Sequence, residues 1–204
     1  MHLISETGLG IILFFALGIQ GIFMLACTGR FLQIKPEGQG LVKVVNCWNT
    51  LVLLFFTPVI AVLLMSDHYP ALDITRIALS NWLIYGLEIL GILLIFYGTG
   101  LIVFGFLALR KQFQPGGFSP RPDDSLVTGG IFSIIQHPLY AGVLSMTLGL
   151  AFAVQSLFVL ALFSIHLILN LQLLPQEEHL LEEKFGIEYQ SYSQKVKRLV
   201  PYIY

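Results

Sequence analysis

Side chains able to do chemistry gather between Arg110 and Arg198. The stretch RKQFQPGGFSPRPDDSLVTGGIFSIIQHPLYAG is polar and rich in Gly and Pro, and it carries Asp124, Ser125, His137 and Tyr140. Pro138 suits the first turn of a helix, where its missing N–H would be unpaired anyway, so His137 stands at an N-cap position. Further on, Glu177 and Glu178 open a charged tail, PQEEHLLEEKFGIEYQSYSQKVKRLVPYIY. Carboxylates of this kind complement an ammonium group or ribose hydroxyls, aromatic rings offer a stacking face, and helix-start N–H groups bind anions. No His, Cys and carboxylate cluster shows ligand spacing, so no metal site is expected. Cys27 and Cys47 lie in or beside apolar runs and read as small buried thiols rather than a disulfide pair.

The elements that must position these groups are membrane helices. Of 204 residues, 56% are hydrophobic and 11% charged, and the mean hydropathy is +0.80. A soluble domain carries about 25% charged residues. With a net charge of −1, no global field draws in nucleic acid. About five apolar runs are long enough, or nearly so, to cross a bilayer core of roughly 30 Å. They run from about Gly8 to Cys27, Val44 to Met65, Asn81 to Leu109, Leu139 to Val154 and Leu157 to Leu174. The period-2 alternation of a membrane barrel is missing, so the class is all-α integral membrane. Met1 to Gly8 holds no Lys or Arg, which predicts a retained first helix rather than a signal peptide.

The last two runs are parted only by Gln155 and Ser156 and predict a helical hairpin whose tip stops short of the far surface. Gly91, Gly98, Gly100 and Gly105 are expected to let helices approach closely, and Pro58 is tolerated within a span. One membrane domain is expected, with helices in residues 1–109 and the loop, hairpin and amphipathic tail helices in 110–204. In the tail, Leu180, Leu181 and Phe185 form one apolar side and Tyr189, Tyr192 and Val196 a second, with Gly186 between them as a C-cap. Such a tail either lies on the membrane surface or packs as a lid over the polar loop.

Charge placement orients the chain. With five spans, Arg30, Lys35, Lys43, Arg110, Lys111, Arg121, Lys184, Lys195, Lys197 and Arg198 share one side, and Arg76 alone falls on the other. The asymmetry predicts a cytoplasmic C-terminus and an external N-terminus. Within the runs, Gln20, Glu88, His166, Asn170 and Gln172 are polar; interhelical hydrogen bonding is the plain reading of each, a functional site the sharper one.

The loop and tail resemble the isoprenylcysteine carboxyl methyltransferase and phospholipid methyltransferase family. The resemblance rests on LVTGGIF (Leu126 to Phe132), HPLYAG (His137 to Gly142), Glu177-Glu178, FGIEYQSY (Phe185 to Tyr192), Lys197-Arg198 and Pro201, in that order. It implies a methyltransferase using S-adenosylmethionine, with the cofactor pocket on the cytoplasmic face. Asp124, Ser125, Leu126 and Val127 would line that pocket from the loop, with Phe132 against the adenine or ribose. His137, Pro138, Leu139 and Tyr140 would line it at the hairpin, and Glu177 would bind the cofactor's polar part. The acceptor would be a lipophilic small molecule or lipid drawn from the membrane. The family usually has Arg where this chain has Gln136. Its isoprenylcysteine enzymes place a substrate-contacting Arg where this chain has Leu173, which points away from a prenylcysteine carboxylate. Two other readings compete: a membrane reductase using NADPH, which lacks an obvious Arg/Lys cluster for the 2′-phosphate here, and a non-catalytic membrane protein whose tail docks a partner.

Overall fold

The computed structural model describes residues 2–29, 40–77 and 79–201, so Arg30 and Lys35 lie outside the described residues. Helix α1 spans Glu6–Thr28, capped by Ser5, whose Oγ accepts from the Gly8 N–H at 3.1 Å. Helix α2 (Leu41–Leu51) runs through a π-helical segment, Val52–Phe56, into α3 (Thr57–Met65). Pro58 explains the widened turn: it cannot donate to the Leu54 carbonyl and its ring would crowd it, so the ladder loosens around it. A short α4 (Tyr69–Leu72) precedes α5 (Asn81–Leu109). After the polar loop come α6 (Pro138–Val154), α7 (Leu157–Phe185) and α8 (Ile187–Ser193). Among the described residues there is no strand, only two isolated bridges.

Among the described residues, four helices are long and apolar enough to cross a membrane: Glu6–Thr28, Leu41–Met65, Asn81–Gln112 and Leu157–Phe185; Pro138–Val154 is a shorter apolar helix. Their outer faces carry exposed Phe15, Ile22, Val62, Leu93, Phe104 and Ile168, the surface a lipid solvent demands. This is an integral membrane protein whose described regular elements are all helices.

The most extensive helix contact joins α5 to α6. Gly91 meets Gly149, and Gly98 meets Gly142: a Cβ built on Gly91 would lie 2.5 Å from the Gly149 carbonyl oxygen, and one on Gly98 would lie 2.4 Å from that of Gly142. Gly105 sits against Leu139, whereas Gly100 faces open space. The expectation of close approach therefore corrects at Gly100. Gly91, Gly98 and Gly105 are seven apart and share a face, and Gly100 points elsewhere.

Buried Leu9, Leu13, Ile60, Leu64, Ile95 and Leu150 join α1, α3, α5 and α6 into one core. The α6–α7 tip docks on the loop before α5: Ile77 N–H donates to the Gln155 carbonyl at 2.9 Å, and Leu157 N–H to that of Thr75 at 3.2 Å. Arg76 ties this end together, with Nε on the Val154 carbonyl at 3.2 Å and Nη1 on Glu6 Oε1 at 2.6 Å.

Helix α7 continues past the apolar run, through Pro175 to Phe185, so the fifth span and the first tail helix are one helix. Pro175 costs one hydrogen bond, and the strong helix formers after it keep the helix going. Gly186, with φ of +54°, then ends it and lets α8 start at once. Val196 lies past the end of α8 at Ser193. Cys47 is exposed rather than buried, because it sits on an α2 face turned to a cavity.

Candidate active site

The polar loop is held by its own side chains. Asp124 Oδ2 accepts from the Arg121 N–H at 2.8 Å and from Gln114 Nε2 at 3.2 Å. Gln112 Oε1 accepts from the Ser125 N–H at 2.6 Å. Arg121 braces the same loop through the carbonyls of Lys111 and Phe113. The tail then packs on the loop, as a lid would. Gln136 N–H donates to the Lys197 carbonyl at 2.8 Å and His137 N–H to that of Arg198 at 3.0 Å. The Gln136 amide donates to the carbonyls of Ser193 and Val196, and its Oε1 accepts from the Tyr189 hydroxyl at 3.3 Å.

Tyr192 donates to the Phe132 carbonyl at 2.7 Å. Burial raises the hydroxyl pKa of both tyrosines above the ordinary value, and the charges of Glu178 and Glu177 add to the effect at Tyr189. Both hydroxyls therefore stay protonated and able to donate. Gln136, where the family pattern has Arg, is thus the clasp between loop and tail.

At the start of α6, His137 occupies the N-cap position, but its side chain caps nothing. Its Nε2 lies 3.3 Å from Glu178 Oε1, whose other oxygen accepts from Arg198 at 2.6 Å. One turn along, Tyr140 donates to Glu177 Oε2 at 2.5 Å. Gly116 makes this pair possible: a Cβ there would fall 1.5 Å from the Tyr140 hydroxyl oxygen and 2.8 Å from the Glu177 carboxylate. Loop, α6 and α7 meet at this point.

Asp124, Ser125, Leu126, Val127, Phe132, His137, Pro138, Leu139, Tyr140 and Glu177 all line one cavity of about 830 Å³. Tyr189 and Tyr192 close it from the tail. Away from this polar end it continues between α1, α2, α3 and α7 past Gln20, Asn46, Asn49, Leu54, His166 and Asn170. At its far rim stand Phe14, Leu51, Leu54 and Val62, all exposed on the outer faces of the helices. Leu173 does not line it; fully buried, it packs against Gly117.

Sequence reasoning missed Gly116, Asn46 and Asn49. The last two were legible as amides three apart within a largely apolar helix, hence on one face. Asn49 pairs its amide with that of Asn170 through two hydrogen bonds, of 3.2 and 3.3 Å. Asn46 donates to the Gly116 carbonyl at 3.1 Å, fastening the loop to α2. Glu88 accepts from the Leu3 N–H at 2.7 Å and from His2, and Gln20 donates to Met146 and Thr99. Both follow the plain reading of a satisfied intramembrane polar group.

A family model described as phospholipid methyltransferase matches residues 87–188 of this chain. The chain is also similar to protein-S-isoprenylcysteine O-methyltransferase B of Arabidopsis thaliana, with 34% identity over 89 residues. That match covers 38% of this chain and 40% of the plant protein, so it spans about two-fifths of the relative's length.

Proposed function

This chain belongs to the phospholipid methyltransferase family, and we propose that it moves a methyl group from S-adenosylmethionine to a lipophilic acceptor inside the membrane. The observation that carries this reading is one shared cavity: ten residues from three separated segments line its polar end, and its other end runs to the lipid-facing helix surface. Its volume of about 830 Å³ falls within the roughly 300–1,000 Å³ of small-molecule sites. The lining fits the donor. Phe132, Tyr189 and Tyr192 offer faces for an adenine, while the Glu177 and Asp124 carboxylates suit an ammonium or ribose hydroxyls.

A sulfonium methyl is already activated, so the donor supplies the leaving group. The residues' task is positioning and exclusion of water. Tyr140, held on Glu177, and His137, held on Glu178, fix the walls of the polar end. The tail covers it. The asymmetry of Lys and Arg supports a cytoplasmic position for this end, with the donor arriving from water and the acceptor from lipid.

The acceptor we favour is neutral or amine-bearing. Among the described lining residues Lys43 is the one cation. Gln136 is committed to the tail and Leu173 is buried in packing. Arg121 and Arg198 are engaged with the loop and with Glu178, so a carboxylate would enter without an arginine partner. Such a charge-assisted pair is worth about 1.5–3 kcal/mol.

Titrating purified protein with S-adenosylhomocysteine and, separately, NADPH tests the donor. The nucleoside should raise the melting temperature, since a ligand that binds only the folded state stabilises it by mass action. Stabilisation by NADPH alone would replace this reading with the reductase. A methyl-transfer assay on N-acetyl farnesylcysteine, phosphatidylethanolamine and lipophilic thiols tests the acceptor, and efficient turnover of the farnesylcysteine would refute the preference.

A further inference from the structure

The membrane-embedded half of the cavity holds one buried polar side chain with no partner. Gln20, Glu88 and Asn170 all lie within apolar helices, and each is hydrogen-bonded to another element. His166 differs. It is 1% exposed, it lines the cavity, and neither ring nitrogen has a hydrogen-bond partner among the described residues; Nδ1 is fully shielded. Asn170, one turn further on, donates to the His166 carbonyl at 2.7 Å and pairs with Asn49, so the two amides satisfy each other and leave the imidazole unmatched. An unpaired polar group in a dry site is costly and calls for an explanation, of which a ligand is one.

We propose that His166 is the recognition point for an uncharged hydroxyl on the acceptor, bound in the apolar half of the cavity. The proposal rests on the preceding reading of the cavity as the meeting place of a donor and a lipophile. Glu177 lies eleven residues further along α7, about 16 Å at roughly 1.5 Å per residue, so His166 and Glu177 serve two different ligands or two ends of one. Among the described residues, the Lys, Asp and Glu side chains lining the cavity are Lys43, Asp124 and Glu177, all on the loop side. An ion beside His166 would have only the imidazole itself to pair with, and taking that pair out of water is costly, which disfavours a charged group. A hydroxyl both donates and accepts, so it can pair with Nε2, the ring nitrogen that is not fully shielded, whether that nitrogen carries the proton or not. The leucines and phenylalanine around the far rim receive the apolar remainder of the molecule.

The test is calorimetric binding of 1-dodecanol, dodecane and dodecanoate to detergent-purified protein saturated with S-adenosylhomocysteine, at one detergent concentration throughout. Dodecanol should bind at least about fivefold tighter than dodecane, the size of one net hydrogen bond. His166→Phe should bring the two level while S-adenosylhomocysteine binds as before. Nitrogen-15 spectra of histidine-labelled wild type provide a second readout that needs no variant, because dodecanol should shift the His166 ring signals and dodecane should not. Equal binding of alcohol and alkane, tightest binding of dodecanoate, or unmoved ring signals would each overturn the inference. A wild type that shows no alcohol preference while still binding S-adenosylhomocysteine refutes this inference alone. Absent S-adenosylhomocysteine binding with the preference intact refutes the donor assignment alone.

Discussion

Replacing Glu177 by alanine removes two things at once, and the structure says how to separate them. Glu177 Oε2 accepts from the Tyr140 hydroxyl at 2.5 Å, and its side chain is 23% exposed at the polar end of the cavity. Glu177→Ala therefore deletes a carboxylate proposed to hold the donor and leaves a half-buried tyrosine hydroxyl without its partner. Orphaning a buried partner costs about 1–3 kcal/mol, whereas removing both partners together can be nearly neutral. For a chain of this length each kcal/mol moves the melting temperature by about 2–4 °C, so the apo variant should melt about 4–8 °C lower for a loss of about 2 kcal/mol. Tyr140→Phe added to Glu177→Ala should recover more than half of that loss without restoring the stabilisation by S-adenosylhomocysteine. Glu177→Gln keeps an acceptor oxygen for Tyr140, so it should melt near wild type and still lose most of the ligand shift. The assay is thermal denaturation in detergent with and without S-adenosylhomocysteine. A double variant no more stable than Glu177→Ala would refute the hydrogen-bond argument, and a full ligand shift in Glu177→Gln would refute the charge argument.

Gly98→Ala should destabilise by about 1–3 kcal/mol through overpacking against the Gly142 carbonyl, while Gly100→Ala should be neutral or slightly stabilising; paired denaturation curves check both. A reporter fused after Tyr204 should be cytoplasmic and one fused before His2 external, and finding both on one side would rule out an odd number of crossings. Burial would raise the pKa of Asp73, but hydrogen bonds from Ser156, Thr75 and Tyr69 outweigh it and hold the carboxyl below its ordinary value. Its folded pKa lies below the unfolded one, so its contribution is complete above about pH 4 and fades as pH falls toward the folded value. Asp73→Asn should lower stability at neutral pH and flatten the acid limb of a stability–pH curve.

Much of this was legible in the residues. The spans follow from long apolar runs, a signal that survives without knowing any contact, and the helix starts at Pro138 and Ser156 follow from local chain chemistry. What failed was long-range. The apolar run ends at Leu174, yet α7 runs on through Pro175 to Phe185, because the helix formers of the tail outweigh one missing hydrogen bond. Gly100 was grouped with Gly91 and Gly98, although only the seven-residue spacing puts glycines on one face. At the site, order and spacing singled out the residues that line the polar end. They could not show that Gly116 must be bare for Tyr140 to reach Glu177, because that depends on three segments far apart in the chain. Nor could His166 be told from Gln20 and Glu88 before it was known which of them finds a partner.

The glycine contacts between α5 and α6 also bear on how the molecule is made. The bare faces of Gly91 and Gly98 emerge from the ribosome well before the helix that covers them, with the whole polar loop still to be synthesised. Until Gly142 and Gly149 arrive, α5 carries a strip of uncovered backbone facing lipid, an open invitation to a wrong partner. Premature termination within the loop should therefore leave a fragment that inserts but cannot complete its bundle, the kind of species that membrane quality control removes. The match to the family beginning at residue 87, inside α5, fits a unit of inheritance that carries both halves of this seam together.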